Sequence, residues 1–138
     1  MTDMKIQVID DDPAMTDLLQ LLLVESGANI QVANSGQKGL EMVQANIPDV
    51  IILDLMMAGM DGWAVCREVR KFSKVPILIL SALNSSNIIA SSLDAGADDY
   101  LVKPVPTTVL LAHIKNLIKR TAPLYTPLQN GTKLSKGL

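Results

Sequence analysis

Short apolar runs rich in Val, Ile and Leu recur along the chain, and each is followed by a longer segment with helical apolar spacing. Unbroken apolar runs bounded by Pro, Gly or charged residues are typical of strands buried on both faces of a parallel sheet. The predicted strands are residues 5–9, 30–33, 50–53, 76–80 and 100–102.

Helix signals follow each predicted strand. Asp12 before Pro13 predicts an N-cap and a first helical residue, and Gly27 predicts a left-handed stop after a helix that reaches about Ser26. The apolar face of this first helix comprises Met15, Leu18, Leu19, Leu22 and Leu23. The other predicted helices follow the cap Ser35, cover Trp63 to Arg70, lie between Asn87 and Gly96, and run from about Thr107 to Arg120.

The alternation of strand and helix predicts the fold class. Regular βα repeats with crossovers of this length indicate an α/β protein with a parallel sheet covered by helices on both faces. The pattern covers residues 1–120, which we expect to form one domain. It stops at Thr121, and the polar segment 121–138 is predicted to be a linker or a flexible C-terminal tail.

Composition narrows the functional classes. Of 138 residues, 49% are hydrophobic and 19% charged, which is typical of a folded core, and the net charge of −2 argues against direct nucleic-acid binding by this segment. No apolar run is long enough to span a membrane and no signal peptide is evident, so we expect no membrane partner and a cytoplasmic location. The lone Cys66 is predicted to pack in a buried or half-buried position.

Polar side chains stand at the C-terminal ends of the predicted strands. Asp10 and Asp11 follow the first strand, Asp54 the third, Ser81 the fourth and Lys103 the fifth. In open parallel sheets, ligands bind outside this edge. Three neighbouring carboxylates either take up protons or bind a cation, and an all-oxygen set suits Mg²⁺. A lysine and a hydroxyl opposite the cation would complete a phosphoryl site, with Asp54 as nucleophile.

Four motifs carry a family resemblance: VIDDDP, PDVIILDLMMAGMDG, ILILSA and GADDYLVKP. Together, over roughly residues 4–120, they resemble the receiver domain of bacterial two-component response regulators. The resemblance implies a flavodoxin-like, doubly wound, five-stranded parallel sheet in the order 2-1-3-4-5 with five helices. It also implies a cis peptide bond between Lys103 and Pro104.

The resemblance assigns roles to the strand-end residues. Asp54 matches the phosphoacceptor, Ser81 the switch hydroxyl, Tyr100 the switch aromatic and Lys103 the phosphate-contacting lysine. The implied ligands of Mg²⁺ or Mn²⁺ are Asp10, Asp11 as the direct ligand, Asp54 and the backbone carbonyl of Met56.

As a receiver, the chain would accept a phosphoryl group from a histidine kinase or phosphotransfer protein. It would assist its own phosphorylation and dephosphorylation without being an enzyme that turns over a substrate. The implied response changes the face formed by helix four, strand five and helix five, through which transcriptional receivers form homodimers. We therefore expect the receiver part of a transcriptional response regulator; a stand-alone receiver and a constitutive protein-interaction module are the alternatives. A haloacid dehalogenase-type phosphohydrolase would need a second acid where Met56 stands.

The chain departs from the family pattern at a few positions. Met56 and Leu83 are apolar where the family controls water access, which predicts a long-lived acyl phosphate. Val105 and Pro106 replace the usual residues after Lys-Pro, so the start of the last helix is expected to differ in detail.

Two further side chains have predicted positions. His113 is predicted to lie at the surface, and Trp63 is predicted to pack at the site-side end of helix three.

Overall fold

The computed structural model describes residues 3–121 and contains the predicted alternation of strands and helices. The strands are β1 (Lys5–Ile9), β2 (Asn29–Ala33), β3 (Val50–Leu53), β4 (Ile77–Ser81) and β5 (Asp99–Val102). The helices are α1 (Pro13–Val24), α2 (Gly36–Ala45), α3 (Gly62–Val69), α4 (Ser86–Ala95) and α5 (Thr107–Thr121). The predicted tail lies outside the described residues, except for Thr121, which is the last residue of α5.

All strands of the sheet are parallel, and their order is β2-β1-β3-β4-β5. The predicted flavodoxin-like order is therefore confirmed. The chain moves outward from β1 to β2 and then reverses to β3, so the order switches between β1 and β3. A crevice opens at such a switch point, outside the C-terminal ends of the strands.

Two apolar clusters cover the two faces of the sheet. On one face, α2 and α3 contribute Leu40, Val43, Val65, Cys66 and Val69. On the other face, α1 and α5 contribute Leu19, Leu23, Leu110, Ile114 and Leu117. Every residue of β3 is buried, and each aliphatic side chain removed from water contributes about 1.5–3 kcal/mol. The strand that ends next to Asp54 is therefore a rigid base for that carboxylate.

The predicted start of α1 is confirmed, whereas one assignment on its buried face is wrong. The Asp12 side chain accepts a hydrogen bond from the Ala14 amide, and Pro13 is the first helical residue. Helix α1 ends at Val24, two residues before the predicted end. Leu18 is 47% exposed, although it was expected on the buried face. The buried stripe follows residues 16, 19 and 23, and Leu18 lies about 100° around the helix from its neighbour in that stripe.

Within residues 3–121, no helix combines the length and hydrophobicity that crossing a membrane requires.

Candidate functional site

The three predicted acids come together at the C-terminal edge of the sheet. One carboxylate oxygen from each of Asp10, Asp11 and Asp54 lies within 4.8 Å of the others. Asp10 is buried, Asp11 is exposed, and the Asp54 side chain keeps 12% of its surface exposed. The cluster therefore opens to solvent on the side of Asp11.

Backbone amides and one lysine hold the two acids that follow β1. The Asp12 amide donates to Asp10 Oδ1 at 3.0 Å, and Lys103 Nζ donates to Asp10 Oδ2 at 2.9 Å. The Ala58 amide, in the loop after β3, donates to Asp11 Oδ2 at 3.1 Å. Both acids therefore already have defined orientations in the crevice.

Asp54 directly follows β3, in a position that disfavours its charge. Burial raises the pKa of the Asp54 carboxyl above its ordinary value of 3.8, and the nearby Asp10 carboxylate raises it further. The Lys103 ammonium, 4.0 Å from Asp54 Oδ1, works in the opposite direction, as do the Leu55 backbone and the Ser81 hydroxyl. The net effect is a raised pKa, because the cost of burying the charged carboxylate outweighs the attraction of the Lys103 ammonium.

The donor set fits a hard divalent cation. The cluster offers only oxygen ligands, and its negative charge exceeds what Lys103 neutralises. Mg²⁺ and Mn²⁺ prefer carboxylate and carbonyl oxygens and accept water in their remaining positions. Met56 lies in the loop after β3 with its side chain 61% exposed, and the role of its carbonyl as a ligand stays a prediction.

Ser81 and Lys103 lie on the other side of the crevice. Ser81 ends β4, is almost completely buried, and accepts a hydrogen bond from the Leu83 amide at Oγ. The Lys103 amide donates to the Ser81 carbonyl, which joins the ends of β4 and β5. The predicted cis peptide bond between Lys103 and Pro104 is confirmed.

Tyr100 links β5 to the loop that precedes α4. Its hydroxyl donates to the Leu83 carbonyl at 2.6 Å, and its half-buried ring packs against the apolar cluster under α3. The same loop residue, Leu83, therefore contacts Ser81 through its amide and Tyr100 through its carbonyl. A change at Ser81 can reach Tyr100 through a single residue.

Two other side chains make contacts that the sequence indicated only in part. The Trp63 indole, at the start of α3, donates to Ser91 Oγ on α4, which agrees with its predicted packing. His113 is 38% exposed, but it also contacts Asp99 Oδ2 at 2.6 Å, which was not predicted. Cys66 is buried, and burial raises the pKa of its thiol to about 12, which favours a packing role for this residue.

Sequence reasoning missed Asn34, which lies just after β2. Its side-chain amide donates to the Asp10 carbonyl at 2.9 Å and to Thr16 Oγ1 at 3.0 Å. No local pattern marks this residue, because its partners are 24 and 18 positions away in sequence. Only the pairing of β1 with β2 brings Asn34 to the acids.

Comparisons with known proteins identify the family of this chain. The family model for the response regulator receiver domain matches residues 6–115. The response regulator MprA of Mycobacterium leprae is 44% identical over 121 residues, and the transcriptional regulatory protein AfsQ1 of Streptomyces coelicolor is 41% identical over 113 residues. These alignments cover 87% and 82% of this chain, but 53% and 50% of the relatives. The chain thus spans about half the length of the curated relatives it matches.

A solved structure gives the same result for the fold. The crystal structure of a two-component response regulator from Clostridium difficile is similar with a TM-score of 0.83 and 30% sequence identity, covering 88% of this chain and all of that one. The class of protein is defined by this structural similarity together with the family match, the strand order and the acidic cluster. The chain belongs to the response regulator receiver domain family.

Proposed function

We propose that this chain is a phosphoacceptor switch in which Asp54 receives a phosphoryl group. The observation that carries the proposal is the convergence of the Asp10 and Asp11 carboxylates and of Lys103 around Asp54. A phosphohistidine of a histidine kinase or phosphotransfer protein would be the donor. An Asp54 oxygen forms the new bond to phosphorus, the P–N bond of the donor breaks, and the imidazole takes up a proton as it leaves.

The residues of the crevice have separate roles in this transfer. Asp10, Asp11, Asp54 and the Met56 carbonyl would hold Mg²⁺ or Mn²⁺, and the bound cation supplies charge neutralisation for the phosphoryl oxygens. Lys103 moves its ammonium from the carboxylates toward the incoming group. The Ser81 hydroxyl donates to another phosphoryl oxygen, so charge is compensated on both sides of the phosphorus.

Phosphorylation would reach the surface through Ser81 and Tyr100. When the Ser81 hydroxyl turns to the phosphoryl group, it no longer accepts from the Leu83 amide, and the loop that Tyr100 also contacts can move. Helix α4 follows this loop and has Ser92 as its only buried residue. Because so little of α4 is buried, a small change at its start can shift its position.

Two surfaces suit the expected protein partners. A groove of about 300 Å³ lies between α1 and α5 beside Lys103, with Leu18, Leu22 and Pro104 among its apolar walls, and it suits a helix that brings the donor histidine. On the α4–β5–α5 face, Leu93, Val102 and Val109 are exposed. We propose that this second face pairs with another copy of the chain after phosphorylation.

The names of the relatives indicate the kind of process that this chain would regulate. We propose that residues 1–120 are the receiver domain of a cytoplasmic transcriptional response regulator and that 121–138 connects it to further chain, with no direct nucleic-acid contact by this segment. The names of AfsQ1 and MprA support a regulatory output. The apolar residues Met56 and Leu83 orient no attacking water, so the acyl phosphate is expected to be long-lived.

The test is the intact mass of the protein after incubation with acetyl phosphate, with and without Mg²⁺. We expect a Mg²⁺-dependent gain of one phosphoryl group in the wild type and none in Asp54→Asn. An unmodified wild type would instead indicate a constitutive interaction module. Release of phosphate from acetyl phosphate over many turnovers, without accumulation on the protein, would contradict a long-lived acyl phosphate and favour a phosphohydrolase.

A further inference from the structure

Asn34 holds the peptide bond that joins the two acids after β1. Its side-chain nitrogen donates to the carbonyl oxygen of Asp10 at 2.9 Å. The Asp10 carbonyl and the Asp11 amide belong to one planar peptide group, so fixing the carbonyl also fixes the direction in which the chain enters Asp11. Asp11 is the exposed acid of the cluster and has only one other described restraint, the Ala58 amide.

The same nitrogen also contacts α1. It lies 3.0 Å from Thr16 Oγ1, and this hydroxyl donates in turn to the Pro13 carbonyl at 3.1 Å. Thr16 is almost completely buried, whereas Asn34 itself is exposed. The two N–H groups of the Asn34 amide therefore reach two separate acceptors, the Thr16 hydroxyl and the Asp10 carbonyl.

The remaining contacts of Asp10 restrain other atoms. The Asp10 amide donates to the Ala33 carbonyl, and the two carboxylate oxygens accept from the Asp12 amide and from Lys103. Lys103 is the contact that phosphoryl transfer would disturb, because its ammonium is needed by the phosphoryl group. Among the described residues, the contact from Asn34 is the one that holds the Asp10 carbonyl.

From these contacts we infer that Asn34 is a positioning residue for the divalent cation site, acting on Asp11 through the Asp10–Asp11 peptide group. The inference rests on the proposed function, since it requires that the cluster bind a cation. Loss of residues that orient metal ligands typically weakens metal binding 10- to 100-fold. Because Asn34 acts through the backbone, we expect Asn34→Ala to weaken Mn²⁺ binding about tenfold, at the lower end of that range.

A charge-changing variant separates positioning from simple electrostatics. Asn34→Asp keeps the shape of the side chain, removes its N–H donors and adds a negative charge close to the cluster. If charge alone mattered, this variant would bind a cation more tightly than the wild type. If Asn34 positions Asp11, the variant binds more weakly, because a carboxylate repels the Asp10 carbonyl and leaves the peptide group unrestrained.

Thr16→Val is the matched control for fold stability. Val has nearly the same shape as Thr but lacks the hydroxyl, so it removes the contacts to Asn34 and Pro13 while leaving the Asn34 contact to Asp10 in place. We expect a lower melting temperature without cation, because a buried hydrogen bond is lost. Its Mn²⁺ affinity should stay within about twofold of the wild type, because removing a residue that orients a metal ligand typically lowers the affinity by about tenfold or more.

The experiment is a Mn²⁺ titration of the unphosphorylated proteins, with free Mn²⁺ measured by electron paramagnetic resonance and thermal melting measured in chelator. Weaker binding by both Asn34 variants but not by Thr16→Val is the expected result. Unchanged or tighter binding by Asn34→Asp overturns the inference, as does an equal loss in Thr16→Val. A wild type that binds no Mn²⁺ removes the cation site itself, and with it both this inference and the proposed function.

Discussion

Replacing Asp54 by Asn should stabilise the fold when no divalent cation is present. One carboxylate oxygen of Asp10 and one of Asp11 each lie within 4.8 Å of an Asp54 carboxylate oxygen. At an effective dielectric constant near 20, each of these two pairs of charges repels by about 3.5 kcal/mol or more. Lys103, 4.0 Å from Asp54, offsets about 4 kcal/mol of this repulsion. Repulsion therefore exceeds attraction, and burial of the Asp54 charge adds to the cost.

Solvent reaches the cluster on the side of the exposed Asp11, so only part of this difference appears in the stability. We expect Asp54→Asn to raise the free energy of unfolding by about 2 kcal/mol at pH 7, a shift of about 1 M in the urea midpoint. The assay is urea unfolding in chelator, followed by circular dichroism. Asp17→Asn, at an exposed position on α1, is the control and should change stability by less than about 0.5 kcal/mol.

The sign of the pH dependence follows from the raised pKa of Asp54. The penalty for the charged form is present at pH values above the folded-state pKa and is lost as the pH falls through it toward 3.8, where the unfolded chain titrates. The stability gained by Asp54→Asn should therefore be full at pH 7 and shrink on acidification.

Mg²⁺ should change this comparison. At a Mg²⁺ concentration 100 times its dissociation constant, the free energy of unfolding of the wild type should rise by about 2.7 kcal/mol, which reduces or reverses the difference from Asp54→Asn. An Asp54→Asn variant that is less stable than the wild type in chelator would refute this account of the charges.

Four further substitutions test contacts near the site and at the opposite edge of the sheet. A Cβ at Gly62 would meet the Asp54 carbonyl oxygen, so Gly62→Ala should lower the free energy of unfolding in urea by about 2 kcal/mol and slow phosphorylation. Gly59→Ala is the control, because Gly59 has a φ of +75° with open space around it. This control should lower the free energy of unfolding by about 1 kcal/mol and leave phosphorylation unchanged. Tyr100→Phe removes a 2.6 Å hydrogen bond and should cost about 1 kcal/mol; an unchanged urea midpoint would contradict this. Arg70→Met removes donors to three backbone carbonyls and a carboxylate and should cost about 3 kcal/mol, with phosphorylation by acetyl phosphate unchanged.

The local features of the fold were predictable because they depend on neighbouring residues. The Asp12 cap with Pro13 marks the start of α1, and the unbroken apolar run before Asp54 marks a strand buried on both faces. The order of the strands was not contained in these patterns, because hydrophobic periodicity does not say which strands are neighbours. That order came from the family resemblance and is confirmed by the sheet.

The features that were not predicted depend on contacts between distant parts of the chain. Leu18 has the same chemistry as Leu19, and only the rotation of α1 against the sheet decides which of them is buried. His113 was placed at the surface from its basic neighbours, but the approach of α5 to β5 brings it to Asp99. Asn34 reaches the acids only because β2 pairs with β1.

The assignment of strand-end acids to one site was possible because a parallel sheet collects the C-terminal ends of its strands at one edge. The positions of Asp10, Asp11 and Asp54 agree with that expectation.

The most direct test of the central claim locates the phosphoryl group on the chain. After phosphorylation with acetyl phosphate and Mg²⁺, reduction with borohydride converts an aspartyl phosphate to homoserine, and peptide mass spectrometry identifies the converted residue. We predict homoserine at Asp54 alone, and none when Mg²⁺ is omitted. Conversion at Asp10, Asp11 or another acid, or no conversion in protein that has gained phosphoryl mass, would contradict the assignment of Asp54 as the phosphoacceptor.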